Sequence, residues 1–440
     1  EIFPLMRRRS LFSGAENFAL YDFNTPEGWV DENVFAYSNR AGDERAIILF
    51  NNAYNTTSGW IRISTTINIG SGDEPNHVSK NLGEALAVNT NDGVFYRFRD
   101  HRSGLQYVRS GRQLTEEGLF AVLHGYQYHA FVDFQQIDDS DGSWAQLAHR
   151  LGGGGVPNLE YARREMQLEP ILTPFRNLMK SDLLRGIATG EDNALDQFEQ
   201  ALQQMLHTVR DYLQLDIDLE STMKDKDASA AIKALLRDSE HPSPSKAGKA
   251  GAEVVGLLAD EMKSLTPVML AWVAIDAIAE VCAPDDTTSH HERCLARFDD
   301  WLLGRILSVQ FGELTDLGVD PHADAYLVRI LLHKKIELAL APSEIATALR
   351  ETLESSPVRD YLLVNRHDDI LWLSKERLER LVSSLLAIEL VRVRSGETIE
   401  TDDSTTDRRI GAAWRSAGTI LIAAEKAGYR VEKMLRLLSQ

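Results

Sequence analysis

The hydrophobic pattern of this chain changes its period near residue 140, and this change limits the folds that the sequence can adopt. Before that point, apolar and polar residues alternate in short runs separated by Gly, Asn and Asp. Such alternation is the period of a half-buried β-strand. After that point, apolar residues recur every three or four positions, as in an amphipathic helix. The sequence therefore predicts an α+β fold, with an N-terminal antiparallel β-sandwich followed by a mostly α-helical region.

The strand pattern occurs in short runs that are separated by turn residues, such as those at 39–43 and 100–104. The predicted strands cover residues 34–37, 46–50, 60–63, 94–98, 105–109 and one or more strands within 119–137. Short strands at this spacing are typical of an antiparallel sandwich or barrel. The first 28 residues fit neither the strand block nor the helical block.

The helical pattern is clearest in residues 194–215. The apolar stripe there consists of Leu195, Phe198, Leu202, Met205, Leu206, Val209, Tyr212 and Leu213. Similar stripes recur over residues 254–258, 268–281, 298–311, 325–340 and 378–391. Residues 241–251 contain two prolines and many small side chains, which predicts a mobile loop. The polar residues 395–407 predict an exposed connection.

Charge and cysteine content exclude several classes of partner. The chain has 47 Lys plus Arg against 66 Asp plus Glu, a formal net charge of −19. So acidic a surface repels phosphate backbones. The basic run at residues 7–9 is too short to bind them, so we expect that nucleic acid is not a partner. No run approaches the roughly 18 apolar residues that span a bilayer, so we expect no membrane. Two cysteines favour a reducing, cytoplasmic compartment, with a cysteine-poor secreted enzyme left open.

Two local clusters in the sequence favour structural roles over binding. Residues 152–155 are four glycines, but no Gly-Lys-Ser/Thr follows them, so they predict a helix C-cap with Pro157 just beyond and no phosphate loop. The acidic residues 138–142 lack the Gly position and the closing Glu of a calcium loop, and predict a solvated turn.

The soft metal ligands of the chain are concentrated in one segment. Cys282, His290, His291 and Cys294 lie within thirteen positions, but only His291 and Cys294 have a spacing common in structural zinc sites. Buried cysteines on helical faces and a loop with two histidines explain the cluster more simply. We therefore predict no metal and no cofactor.

Three aromatic residues are the candidate contacts to carbohydrate. Trp29, Tyr54 and Trp60 lie in or beside loops of the predicted sandwich. Aromatic faces stack well on sugar rings, although most aromatic residues in a sandwich fill its core. Glycoside hydrolysis needs two positioned carboxylates, and no spacing or flanking pattern selects a pair among the 66 acidic residues. No catalytic residue is predicted.

Several stretches resemble the region after the catalytic barrel in bacterial α-amylase-like proteins of glycoside hydrolase family thirteen. Residues 11–23 (LFSGAENFALYDF) resemble the closing segment of that barrel. Similar to the following β domain are 34–40 (VFAYSNR), 50–54 (FNNAY), 59–62 (GWIR), 96–101 (YRFRDH) with Gly104 and Leu105, and 123–129 (LHGYQYH). Similar to the helical extension are 362–366 (LLVNR), 370–372 (ILW) and 428–433 (GYRVEK).

This resemblance implies a division of the chain into a barrel remnant with linker at 1–28, a sandwich at 29–139 and a helical region at 140–440. A split of the helical region into two subdomains near 238–252 is left open. The family carries its catalytic carboxylates at the ends of barrel strands, and no position here matches those motifs. A start at Glu1 instead of Met favours a barrel encoded upstream.

The resemblance thus implies the non-catalytic C-terminal part of an α-amylase-like glycoside hydrolase acting on α-glucans. We expect the chain to support the barrel, to contact polysaccharide as a further role, and to be inactive alone. Its expected partners are the N-terminal catalytic barrel of the same protein and α-glucan. Two alternatives stay open: a helical module for protein interaction or scaffolding, and a self-contained hydrolase with an unrecognised carboxylate pair.

Overall fold

The computed structural model confirms the α+β class and divides the chain into two compact units. Unit 1 is Glu1–Gln167 and unit 2 is Leu168–Gln440. Unit 1 contains a six-stranded antiparallel sheet, and unit 2 is mostly helical. The described residues are 3–14, 16–68, 76–219, 244–282, 289–333, 338, 342–354, 356–394 and 403–439.

Unit 1 contains sixteen helices and strands among its described residues. The helices are α1 Phe3–Met6, α2 Arg9–Ser13, α3 Leu82–Leu86, α4 Gly111–Glu116, α5 Ser143–Leu151 and α6 Leu159–Gln167. The strands are β1 Ala19–Tyr21, β2 Val34–Ala41, β3 Glu44–Asn51, β4 Thr57–Ile61, β5 Ile67–Asn68, β6 His77–Val78, β7 Val94–Asp100, β8 Gln106–Ser110, β9 Leu119–Leu123 and β10 Tyr128–Asp138.

The core of unit 1 lies between the large sheet and a two-stranded ribbon. The sheet order is β1-β2-β3-β10-β7-β8, and β4 pairs with β9 in the ribbon. Leu49 and Phe98 of the sheet share one buried cluster with Ile61 and Leu123 of the ribbon. Alternation along each strand places one set of side chains in this cluster, as the strand pattern predicts.

The leading segment packs within unit 1 over part of its length. Leu11 is fully buried against Ala46 of β3 and Val132 of β10. Strand β1 forms an edge of the six-stranded sheet by pairing with β2. Phe18 and Leu20 remain exposed. The described residues of this segment therefore contribute strand β1 and several buried side chains, among them Leu11 and Phe23, to the β unit, and Phe18 and Leu20 leave apolar surface uncovered.

The two clusters given structural roles in the sequence flank helix α5. Asp139 accepts hydrogen bonds from the backbone N–H groups of Trp144 and Ala145, so the acidic turn caps the start of the helix. Gly152 has a φ of 53° and ends the helix in the left-handed conformation. The C-cap prediction is confirmed. By its contacts, α5 belongs to unit 1.

Unit 2 consists mainly of helices. They are α7 Glu169–Leu178, α8 Ser181–Thr189, α9 Ala194–Tyr212, α10 Pro244–Val281, α11 His290–Asp300, α12 Leu303–Gly312, α13 Pro321–Leu331, α14 Pro342–Glu354, α15 Ser356–Tyr361, α16 Lys375–Arg394, α17 Asp403–Ala427 and α18 Val431–Leu438. A 3₁₀ turn at Thr315–Leu317 and a hairpin of β11 Asn365–His367 and β12 Ile370–Trp372 complete the described elements.

Helix α10 is the centre of the unit 2 core. Its segment Gly256–Val281 is, among the described residues, long and apolar enough to cross a membrane, yet 89% of its most apolar window is buried inside the protein. Burial on all sides is expected for the central helix of a helical core. The stripes predicted at 254–258 and 268–281 belong to this one helix, which continues through Pro267.

Three sequence predictions in the helical region need correction. Residues 241–243 lie outside the described part, but 244–251, predicted as a loop, are helical in α10. Residues 298–311 do not form one helix, because Leu302 has a φ of 57° and separates α11 from α12. Residues 403–407 of the predicted connection begin α17, while 395–402 are not described.

Other sequence predictions for this region fall on residues that the structure does not describe. Helix α13 ends at Leu331, and residues 334–337 and 339–340 of the predicted stripe lie outside the described part. The proposed subdomain split near 238–252 falls partly on undescribed residues and partly on α10. Within the described residues, one continuous buried cluster extends from Leu168 to Leu438.

Candidate functional site

The ribbon of unit 1 presents an aromatic pair on its outer face. In the antiparallel register of β4 and β9, Trp60 lies directly opposite Phe120. Their ring centroids are 4.7 Å apart with an interplanar angle of 54°. The neighbouring residues Ile61 and Leu119 point into the core, so the alternation of the strands directs the pair outward. Trp60 is 38% exposed.

This pair lies at a cleft of about 670 Å³ within unit 1. A cleft of this size accommodates a small-molecule ligand or part of a chain molecule. Its lining residues are Pro26, Trp60, Tyr107, Arg109, Gln113, Glu117, Gly118, Phe120, Ala121, Val122, Gln127, His129, Phe131 and residues 152–155. The lining combines aromatic faces with hydrogen-bonding groups.

The glycine run forms one wall of the cleft and is held by strand β8. Gln106 and Val156 exchange two backbone hydrogen bonds, at 2.7 and 2.9 Å. A Cβ atom on Gly155 would lie only 2.5 Å from the ring of Tyr107, so any larger residue would displace the ring or the wall. The glycines after the helix cap therefore allow the chain to pack on an aromatic ring.

Arg109 fixes the opposite end of this wall. It is only 7% exposed, and its guanidinium donates to the carbonyl oxygens of Val108 at 2.8 Å and Gly153 at 2.6 Å. Burial lowers the pKa of Arg109 and raises the pKa of the neighbouring Tyr107. Carbonyl oxygens use only part of the five N–H donors of a guanidinium, so this buried side chain still has hydrogen-bonding capacity at the cleft.

His129 lines the cleft and is held by a buried carboxylate. Its Nδ1 lies 3.0 Å from Asp100 Oδ2, and its ring stacks on Phe131. Burial alone would raise the pKa of Asp100, but hydrogen bonds from His129, Ser103 and the backbone N–H of Ala130 together hold that pKa well below its ordinary value. The orientation of the imidazole thus depends on an ionised Asp100.

We expect the stability of unit 1 to fall as the pH drops below about 4, where unfolded Asp titrates. A carboxylate whose pKa is depressed by folding stabilises the fold above its unfolded pKa, and this contribution is lost as the pH falls toward the folded pKa. Hydrogen exchange of β7 peptides between pH 3 and 6 measures the effect. Asp100→Asn should reduce this pH dependence, whereas Asp43→Asn, at an exposed turn, should leave it unchanged. Equal pH dependence in the wild type and Asp100→Asn would contradict the assignment.

The three aromatic candidates from the sequence are all on the surface. Trp29 is 55% exposed, Tyr54 is 83% exposed, and both lie in loops of unit 1. Trp60 lines the cleft, whereas Trp29 and Tyr54 do not. None of the three fills the sandwich core.

Sequence reasoning missed the residues that complete the cleft. Phe120 lies sixty positions from Trp60, and Arg109 and His129 come from two strands of the other sheet. The alternation in residues 119–123 was a usable signal, since it places Phe120 on the outer face once that segment is assigned to a strand. The pairing of β4 with β9 has no local signal in the sequence.

The acidic residues at the cleft do not form a hydrolytic pair. Among the described residues that line it, Glu117 is the only carboxylate. Asp100 lies behind His129, is fully buried and accepts several hydrogen bonds. Hydrolysis of a glycosidic bond uses two carboxyl groups that flank the bond. Among the described residues, the lining of this cleft therefore holds one carboxyl group, not two.

Comparison of the chain with protein-family models, with curated proteins and with solved structures found no match.

Proposed function

We propose that this chain is the non-catalytic C-terminal part of an α-amylase-like glycoside hydrolase, and that its β unit binds α-glucan in the cleft beside Trp60. The observation that carries the proposal is the exposed Trp60–Phe120 pair at a cleft lined by both aromatic and hydrogen-bonding side chains. Aromatic rings offer the apolar faces on which the C–H face of a pyranose stacks. Arg109 and Gln127 offer donors and acceptors for hydroxyl groups at the same cleft.

The distribution of exposed apolar side chains supports a second role, the support of a catalytic barrel. Eleven of the fifteen large exposed hydrophobic residues in the described part of the chain belong to unit 1. Phe18 directly precedes the edge strand β1, Leu20 lies within β1, and Phe35 lies on the adjacent β2. Concentrated exposed apolar surface marks sites of interaction. We propose that the barrel of the same protein covers part of this surface.

Replacement of Trp60 by Ala tests glucan binding. We expect the affinity for maltoheptaose, measured by calorimetry, to fall about thirty-fold, since loss of a central aromatic anchor costs about 2 kcal/mol. The ring is partly exposed and its cross-strand pair contributes only about 0.2–1 kcal/mol, so the melting temperature should change little.

Phe35→Ala is the matched control, because Phe35 also lies opposite an aromatic residue, Phe50, and is exposed outside the cleft. It should retain wild-type affinity. A large fall in melting temperature for Trp60→Ala with unchanged affinity would contradict a binding role. Hydrolysis of maltoheptaose by the chain alone would instead favour a self-contained enzyme.

A further inference from the structure

Two helices of unit 2 bring four potential metal-binding side chains together. Helix α10 carries Asp276 and Glu280, and helix α11 carries His290 and Cys294. Residues four apart lie on the same face of a helix, so each helix presents one pair. His290 Nε2 lies 2.7 Å from Asp276 Oδ1, and Cys294 Sγ lies 3.5 Å from the same nitrogen.

The ligand atoms of three of these side chains lie close to one another. Those of Asp276, His290 and Cys294 all lie within 4.8 Å of one another. A tetrahedral ion with bonds of about 2.0–2.3 Å holds its ligands roughly 3–4 Å apart. Small rotations of these side chains would therefore bring all three to bonding distance. Cys294 is 1% exposed, so its thiol is shielded from bulk water.

Glu280 occupies the position that an outer carboxylate takes in many metal sites. Its Oε2 lies 3.2 Å from Nδ1 of His290 in an ion-pair contact without hydrogen-bond geometry, on the side of the ring away from Asp276 and Cys294. Metal-bound histidines usually donate their second N–H to a carboxylate or carbonyl oxygen, which fixes the ring and strengthens the ligand. This contact leaves Nε2 directed at the carboxylate and the thiol.

The start of helix α11 fixes the position of His290. Ser289 Oγ accepts from the backbone N–H of Glu292, and Glu292 Oε2 accepts from the backbone N–H of Ser289. This capping box defines the first turn of the helix. The first residue of that turn is His290, so its backbone is held where its ring reaches α10.

An ion pair alone accounts for only part of this arrangement. Nε2 of His290 has two polar neighbours, Oδ1 of Asp276 at 2.7 Å and the sulfur of Cys294 at 3.5 Å. A neutral thiol contributes little to an ion pair, whereas a thiolate is among the strongest protein ligands for zinc-like ions. A metal would satisfy all three atoms at once.

We propose that Asp276, His290 and Cys294 bind a divalent ion of the zinc type, with Glu280 orienting the imidazole and the fourth position open to water. The mixed nitrogen, sulfur and oxygen donor set suits Zn²⁺ and its spectroscopic substitute Co²⁺ better than Mg²⁺ or Ca²⁺. The set differs from the sequence candidates, because neither Cys282 nor His291 belongs to the group in the described structure.

Titration of the full chain with Co²⁺, after treatment with a chelator, tests this proposal. The wild type should bind one equivalent of Co²⁺ and develop a thiolate-to-Co²⁺ charge-transfer band. Addition of Zn²⁺ should displace the Co²⁺ and remove the band. Cys294→Ser should abolish the band, and His290→Gln should abolish tight binding. Glu280→Gln should keep the band while the affinity falls about 10- to 100-fold, as for other outer-shell partners.

Cys282→Ser is the matched control, since Cys282 is also a buried free cysteine near the end of α10. It should retain both the band and the affinity, and far-ultraviolet circular dichroism verifies that each variant is folded. Absence of a band in the wild type overturns the proposal, as does a band that survives Cys294→Ser or disappears in Cys282→Ser. The result is independent of glucan binding, which is measured in unit 1.

Discussion

Replacing Arg380 with Leu is expected to lower the free energy of unfolding of unit 2 by about 3–5 kcal/mol, because it leaves a buried carboxylate without its partner. The guanidinium of Arg380 donates to both oxygens of Asp324, at 3.1 and 2.8 Å. It also donates to the hydroxyl and the carbonyl oxygen of Ser264 on α10. The side chain of Asp324 is 3% exposed, so water cannot replace the lost donors. Urea unfolding followed by circular dichroism at helical wavelengths measures the loss.

A double variant that changes both Arg380 and Asp324 tests whether the unpaired carboxylate causes the loss of stability. Glu261 lies 3.8 Å from the guanidinium, and burial raises the pKa of Glu261. Arg380→Leu combined with Asp324→Asn should lose less than the sum of the single changes, since the buried charge of Asp324 is removed together with its cationic partner.

Arg377→Leu serves as the control for the buried ion pair. Arg377 is on the same helix and pairs with Asp320, but that carboxylate is half-exposed, so we expect a loss of about 1 kcal/mol or less. A similar loss for both arginines would contradict the role given to burial.

The fold class follows from the sequence because burial on one face imposes a period. In β9 the pattern Leu119, Ala121, Leu123 inside and Phe120, Val122 outside is the alternation of the sequence itself. The same reasoning holds for α9, where Phe198, Leu202 and Met205 of the predicted stripe are buried. In both elements one set of positions contacts the core and the other does not.

Helix boundaries were less predictable because they depend on tertiary contacts. Residues 244–251 look like a loop by composition, yet the helix propagates into them from the buried segment that follows. Propagation adds one hydrogen bond per residue once a helix exists, which outweighs the cost of two glycines. At Leu302 the error runs the other way, because a helix was predicted where the structure has a break. Leu302 adopts the left-handed conformation, and an apolar residue gives no sign of that conformation in the sequence.

The candidate sites were predictable only in part, because each one joins segments that are distant in sequence. Trp60 was selected for its ring and its place beside a loop, but Phe120 meets it only through the pairing of β4 and β9. In the same way, the sequence showed four soft ligands, but its spacing favoured His291 with Cys294. The structure instead groups Cys294 with His290, and Asp276 joins them only because α10 packs on α11. One carboxylate among 66 acidic residues has no local pattern that distinguishes it.

The pairing of β4 with β9 depends on Gly118, and we expect Gly118→Ala to destabilise unit 1 by about 2–5 kcal/mol. Gly118 has a φ of +77°, and a Cβ atom there would lie 2.0 Å from the carbonyl oxygen of Ile61. Ile61 is paired with Leu119, so relief of this overlap requires the ribbon to open at its end. Trp60 would then move away from Phe120, and the affinity for maltoheptaose should fall with the stability.

Gly104→Ala separates the two causes of this effect. Gly104 has a similar φ of +74°, but no atom lies within 4 Å of its Cβ position, so only the left-handed backbone is strained. We expect it to cost about 1 kcal/mol and to leave glucan affinity unchanged. Equal destabilisation by the two changes would mean that strain at Gly118, and not contact with Ile61, determines the effect. A larger loss of stability in Gly118→Ala than in Gly104→Ala, with an altered near-ultraviolet circular dichroism spectrum, would support the close approach of the two backbones as the cause. The contact between Trp60 and Phe120 would then depend on that close approach.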